Sequence, residues 1–124
     1  MYNNAYNVYK NNSITYASKD QLLLMIVDGA VKFSKIAREA LKEGNVRKAH
    51  ENLIKTQDIF SELMISLDTN SEEWAKNIFN IYAFIKESLV KANLKKDIEE
   101  LEKVIPLIEE VRDLWYEVEK KSKK

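Results

Sequence analysis

The sequence predicts an all-α chain: an antiparallel up-down-up-down four-helix bundle preceded by a short, detachable N-terminal segment. Three observations predict it. Glycine and proline are nearly absent, with two and one among 124 residues, which argues against a strand-and-turn fold and for long uninterrupted helices. Apolar residues recur at spacings of three and four through four successive stretches. The connections between those stretches are short, which favours antiparallel neighbours. The chain divides into a cap segment over 1–17, a bundle over 18–121 and a disordered basic tail over 122–124.

The first helix starts at a capping-box pattern, Ser18 followed three residues later by Gln21. Its core stripe reads Leu22, Met25, Gly29, Phe33, Ile36 and Ala40, and Gly44-Asn45 ends it. Gly29 stands mid-helix, where glycine costs ~1 kcal/mol against alanine. Close approach of another backbone and the space needs of a packed neighbouring helix both account for it. The second helix is expected over 46–67, with Val46, Ala49, Leu53, Phe60, Met64 and Leu67 inward. Residues 68–71 read as a turn, with Ser71 capping a third helix whose stripe is Ala75, Ile78, Tyr82, Ile85 and Leu89. The pattern breaks at Asn93. The fourth helix carries Ile98, Leu101, Ile105, Ile108 and Trp115 to about residue 120, with Pro106 inside it expected to bend it.

Composition closes off several classes of function. There is no cysteine, hence no disulfide framework and no thiolate metal site. Twenty basic residues balance twenty acidic ones, so no net field draws nucleic acid or an anionic membrane. The first twenty residues lack the charged start and apolar middle of a signal peptide. No apolar run approaches the ~20 residues that span a bilayer, and a cytoplasmic location is expected. A single histidine, His50, cannot supply the two Glu-x-x-His pairs of a di-iron bundle. Glu99-Glu100 and Glu109-Glu110 are adjacent on a helix and diverge by about 100°, so neither makes an acid–base pair. No phosphate loop and no nucleophile beside a base is present. Neither a cofactor nor a metal is expected, and the chain is not expected to be an enzyme.

What remains is apolar surface beyond the needs of one stripe per helix. Leu22 to Val27 are six consecutive large apolar residues and must point all round a helix. A second line runs through Leu24, Val27 and Val31, and another through Ile54 and Ile65. Trp74, Ile81 and Phe84 mark a third. Val104, Leu107, Val111, Leu114 and Val118 mark a fourth. A core-facing stripe spans a little over ~100° of a helix. Wide burial between two neighbours, the N-terminal segment or a homodimer would cover the excess. The alternative is a groove for an amphipathic segment of another protein. Ile54, Ile65, Ile81, Phe84, Leu107 and Leu114 are the candidate partner-binding residues. In the N-terminal segment Tyr2, Ala5, Tyr6 and Tyr9 share one helical face, and Tyr2, Tyr6 and Tyr9 are the candidate cap that shields the groove.

An ordered set of motifs resembles the FliS family of bacterial flagellar secretion chaperones. It runs from Tyr6-x-x-Tyr9 and Ala17-Ser18 through Leu22-x-Leu24-Met25-x-x-Asp28-Gly29-Ala30-x-Lys32-Phe33. It continues with Lys55-x-Gln57-Asp58-Ile59, Leu63, Leu67-Asp68, Tyr82, Leu89, Ala92-Asn93, Asp97 and Arg112-Asp113-x-Trp115. The family's Asn-Pro-Tyr is Asn4-Ala5-Tyr6 here, its Thr-Ala-Ser-Pro is Tyr16-Ala17-Ser18-Lys19, and its Tyr before Asp-Gly is Val27. The resemblance implies a cytosolic bundle that holds the C-terminal segment of flagellin, prevents premature polymerisation and delivers it to the flagellar export apparatus. It also implies a bound segment that is extended and partly helical, wrapped round the outside of a monomer or weak dimer. Two other functions stay open on the residues. One is a histidine phosphotransfer domain using His50, although Glu51 follows it and no glycine does. The other is a helical module that dimerises through the same lines.

Overall fold

The computed structural model describes residues 19–70 and 72–122, and among these the chain forms four helices. They are α1 (Lys19–Lys42), α2 (Val46–Ser66), α3 (Glu73–Lys95) and α4 (Ile98–Ser122). Each packs on two others in a ring: α1 on α2 and α4, and α3 on α2 and α4. This is the expected up-down-up-down bundle. The expectations for Ser18, Ser71, the Tyr2/Tyr6/Tyr9 cap and residues 123–124 lie outside the described residues.

The two turns at one end use the same device. Gly44 takes a positive φ of 76°, and the Asn45 amide reaches back to the Ala40 carbonyl at 2.8 Å. Asn45 then caps α2, its side-chain oxygen accepting from the Lys48 amide at 3.1 Å. At the other turn Lys96 is left-handed, and the Asp97 amide reaches the Ala92 carbonyl at 2.9 Å. Asp97 caps α4 through the Glu99 and Glu100 amides. Both turns close a helix with a left-handed residue and open the next with an Asn or Asp cap. The N-cap of α3 is Glu72, whose side chain makes no capping hydrogen bond; the helix begins one residue later than a Ser71 cap would set it.

The core is a continuous cluster drawn from all four helices. It includes Ile26, Val27, Ala30, Val31 and Ala37 of α1, and Leu53, Ile59, Phe60 and Leu63 of α2. Tyr82, Ile85, Leu89 and Ala92 of α3 and Leu101, Val104, Ile105, Ile108 and Val111 of α4 complete it. Burying each large side chain contributes ~1.5–3 kcal/mol against leaving it in water. Phe60 and Tyr82 meet edge to face with centroids 5.9 Å apart.

Four residues assigned to surplus outer lines are therefore core: Val27, Val31, Val104 and Val111. The reason is the ring. A corner helix touches two neighbours, and its buried arc exceeds a single stripe. On α1 the centre of burial runs through Ala30, Ser34 and Ala37, about 100° from the expected Gly29 line. Leu22, Phe33 and Leu41 are half-buried and pack on the edge of the core. Val46, expected inward, is 54% exposed at the open first turn of α2. The helix over Ile98–Ser122 continues through Pro106, which faces solvent.

Buried polar groups are mostly satisfied within their own helices. The Ser34 hydroxyl donates to the Val31 carbonyl, Thr56 to Asn52 and the Asn52 amide to the Lys48 carbonyl. Between α1 and α4, Lys35 pairs with Glu109 at 3.0 Å, and the Tyr116 hydroxyl donates to the Asp28 carboxylate.

Candidate partner-binding surface

On α3, Trp74, Ile81 and Phe84 stand out from the bundle, and Phe84 is 58% exposed. On α4, Leu114 and Val118 are exposed, while Leu107 is half-buried against the core. The two helices are packed neighbours, and Trp74, Ile78, Leu114, Trp115 and Val118 line one cleft between them. That antiparallel register brings Ile81 and Phe84 level with the turns carrying Leu107 and Val111. Four of the six predicted residues, Ile81, Phe84, Leu107 and Leu114, thus belong to one α3/α4 face.

Trp115 is the wall of this face. Its indole N–H donates to the Tyr82 hydroxyl at 2.7 Å, which fixes the ring against the core. Burial pushes the Tyr82 phenol up to about 12, and the Trp115 hydrogen bond offsets part of that. The tyrosine stays neutral throughout the physiological range. On the other side of Trp115 a second cleft is lined by Leu23 and Leu24 of α1 with Val118 of α4 and the polar residues Asp20, Glu119 and Ser122.

The other two predicted residues lie apart, on α2. Ile65 is 79% exposed and Ile54 is half-buried. Eleven residues separate them, so they fall on one side of the helix about three turns apart. Sequence reading passed over several neighbours. Ile78, expected inward, also lines the cleft, and Leu94 is 80% exposed beside the α3/α4 turn, directly after the pattern break at Asn93. Gln57 and Asp58 stand out in the sequence only as part of a motif. The Gln57 Nε2 and Asp58 Oδ2 atoms are buried without a hydrogen-bond partner. Burial raises the Asp58 carboxyl above its usual range, and the Lys86 charge offsets part of that.

His50 is exposed, and its Nδ1 lies 3.1 Å from the Asn93 Oδ1. Lys96 donates to the same oxygen at 2.8 Å. An ammonium only donates, so that atom is the acceptor and His50 Nδ1 carries the hydrogen. The ring bridges α2 to the end of α3. Among the described residues no group of three or more His, Asp or Glu is placed to hold a metal, and no helix is long and apolar enough to cross a membrane.

The family model for the flagellar protein FliS matches residues 2–122. The chain is 35% identical over 112 residues to the flagellar secretion chaperone FliS of Bacillus subtilis (strain 168), covering 90% of this chain and 84% of that one. It is 29% identical over 108 residues to the flagellar secretion chaperone FliS of Escherichia coli (strain K12), covering 86% and 79%. To the protein of that name from Vibrio cholerae it is 28% identical over 109 residues, covering 87% and 80%.

Proposed function

The chain belongs to the FliS family of flagellar secretion chaperones, and from that we propose that it binds the disordered C-terminal segment of flagellin in the cytoplasm. Bound there, the segment is kept from polymerising and is delivered to the flagellar export apparatus. The observation that carries this reading is the α3/α4 face: a row of large apolar side chains left in water by a bundle whose core is already complete. Isolated exposed apolar residues are ordinary, but a contiguous row marks an interaction site.

The chemistry of the face selects the form of its occupant. Apart from two indole nitrogens, of which that of Trp115 is engaged by Tyr82, the five cleft side chains carry no polar atom. A main chain lying on such a floor must satisfy its own amides and carbonyls. An amphipathic helix does so, placing apolar side chains at i, i+3 or i+4 and i+7 into the cleft. A segment that orders on binding needs ~1,000–3,000 Å² of contact, so exposed Ile65 and half-buried Ile54 on α2 supply a second contact for the same segment.

The test is Phe84→Ala. Truncating a half-exposed ring at the centre of the face should lower affinity for a peptide of flagellin's last ~40 residues by ~1–3 kcal/mol. The melting temperature should stay within about 2 °C. A fall in melting temperature comparable to that of a core truncation would assign Phe84 to the fold instead. A doubled solution mass that Phe84→Ala abolishes, with no peptide binding, would make the face a self-association surface.

A further inference from the structure

Trp115 lines both clefts beside it, the apolar one between α3 and α4 and the polar-rimmed one between α1 and α4. Its indole is half-buried, and the flanking Leu114 and Tyr116 are exposed. A large ring at the edge of a cleft can change rotamer unless a directed contact holds it. That contact is the 2.7 Å hydrogen bond to the Tyr82 hydroxyl, at the short end of the N–H···O range. Tyr82 cannot follow a moving partner: it is fully buried, and the Phe60 ring meets it edge to face. One residue on, the Tyr116 hydroxyl reaches the Asp28 carboxylate, so the α4 turn carrying the indole is tied to α1 as well as to α3. A buried tyrosine hydroxyl is costly without a partner, and phenylalanine would fill nearly the same core volume without that cost. The hydroxyl is explained by the ring it holds.

We propose that Tyr82 is a positioning residue for the partner-binding site: its buried hydroxyl fixes the Trp115 indole as the wall against which a bound helix packs. This rests on the flagellin reading above. Trp115 touches the ligand, and Tyr82 acts only through it. An indole released from the bond swings into the space beside it, filling one cleft and opening the other. The bond sets the wall before the ligand arrives, so binding does not also have to order the ring. It sets the chemistry of the wall too. Indole nitrogen is a donor only, and with that donor occupied by Tyr82 the ring has no free N–H to draw a carbonyl or a water. The wall therefore accepts apolar side chains.

The experiment titrates a peptide of flagellin's last ~40 residues into the full chain, Tyr82→Phe, Trp115→Phe and the double variant. Tyr82→Phe keeps the core ring and frees the indole. It should weaken binding about three- to tenfold, the effect of having to immobilise one large side chain on binding. Trp115→Phe should weaken binding at least as much, and in its background Tyr82→Phe should have no further effect, because the ring it positions is gone. A second readout separates positioning from stability. The Trp115 indole N–H is the signal that Trp115→Phe removes from the proton–nitrogen spectrum. Without peptide it should be protected from solvent exchange in the wild type and lose that protection in Tyr82→Phe. Equal affinities for the wild type and Tyr82→Phe would overturn the assignment while leaving flagellin binding intact. So would the same loss of affinity with and without the Trp115 indole, since Tyr82 would then act through the fold. A wild type that does not bind the peptide removes the flagellin reading and this proposal together.

Discussion

A Cβ built on Gly29 would meet the Ile59 Cδ1 at 3.5 Å and the Phe33 Cε2 at 3.6 Å. These are ordinary contacts with two side-chain tips, so no backbone approach demands glycine there. Gly29→Ala should raise stability by ~0.5–1 kcal/mol, the helix-propensity difference, read as a higher midpoint in urea. A lower midpoint would mean that the neighbouring side chains have no room to accept the methyl group. Asp58 offers a second single-residue test. Its carboxyl is raised by desolvation, so ionising it costs more in the folded state than in the unfolded chain. Stability is therefore lost as pH rises from the ordinary aspartate range through the raised value. Asp58→Asn should match the wild type in acid and exceed it progressively above that window. A parallel pair of stability curves from pH 3 to 7 would show that the carboxyl is not desolvated. Neither property is legible in sequence. Gly29 looked like a packing requirement because spacing reveals which face a residue shares, not how far away the next atom lies.

At the level of the helix, periodicity placed all four elements, and at the described ends they fall within about two residues of expectation. The turn signals were also readable, since Gly44-Asn45 carries its cap chemistry openly. The orientation of α1 was not. Hydropathy weights Leu22, Met25, Phe33 and Ile36, whereas the bundle turns Ala30, Ser34 and Ala37 to its centre. Small residues sit where helices approach most closely, and a polar Ser34 is admitted because its hydroxyl bonds its own helix. The same bias sent Val27 and Val111 outward, since one stripe per helix ignores the second neighbour. On α3 the line of Trp74, Ile81 and Phe84 is exposed because it lies on the edge of the helix toward α4, outside the arc buried against both neighbours. Pro106 gives an element-scale prediction. It lacks the amide that would bond the Glu102 carbonyl, and both residues face solvent. Pro106→Ala restores that bond and should stabilise the protein by ~1–3 kcal/mol. An unchanged or lower melting temperature would mean that α4 requires the proline's local geometry for packing.

At the scale of the described residues, the largest group of exposed apolar side chains lies between α3 and α4, and Ile65 stands apart from it on α2 near half-buried Ile54, with α3 between the two. No short rigid ligand reaches both. A chain that does so must wrap, and linking two modest contacts raises affinity through effective concentration. Half-peptides from flagellin's last ~40 residues should therefore bind different faces, each at least ~100-fold more weakly than the intact segment, and both at once. Phe84→Ala should weaken one half, and Ile65→Ala the other, because distant sites act independently. The intact segment should also bind with a strongly negative heat-capacity change, about −0.4 kcal/mol per K for each ~1,000 Å² of apolar area buried. Calorimetry across 10–35 °C measures this directly. Half-peptides that displace one another, or a heat-capacity change near zero, would confine the partner to a single face, and the apolar line on α2 would then be surface without a ligand.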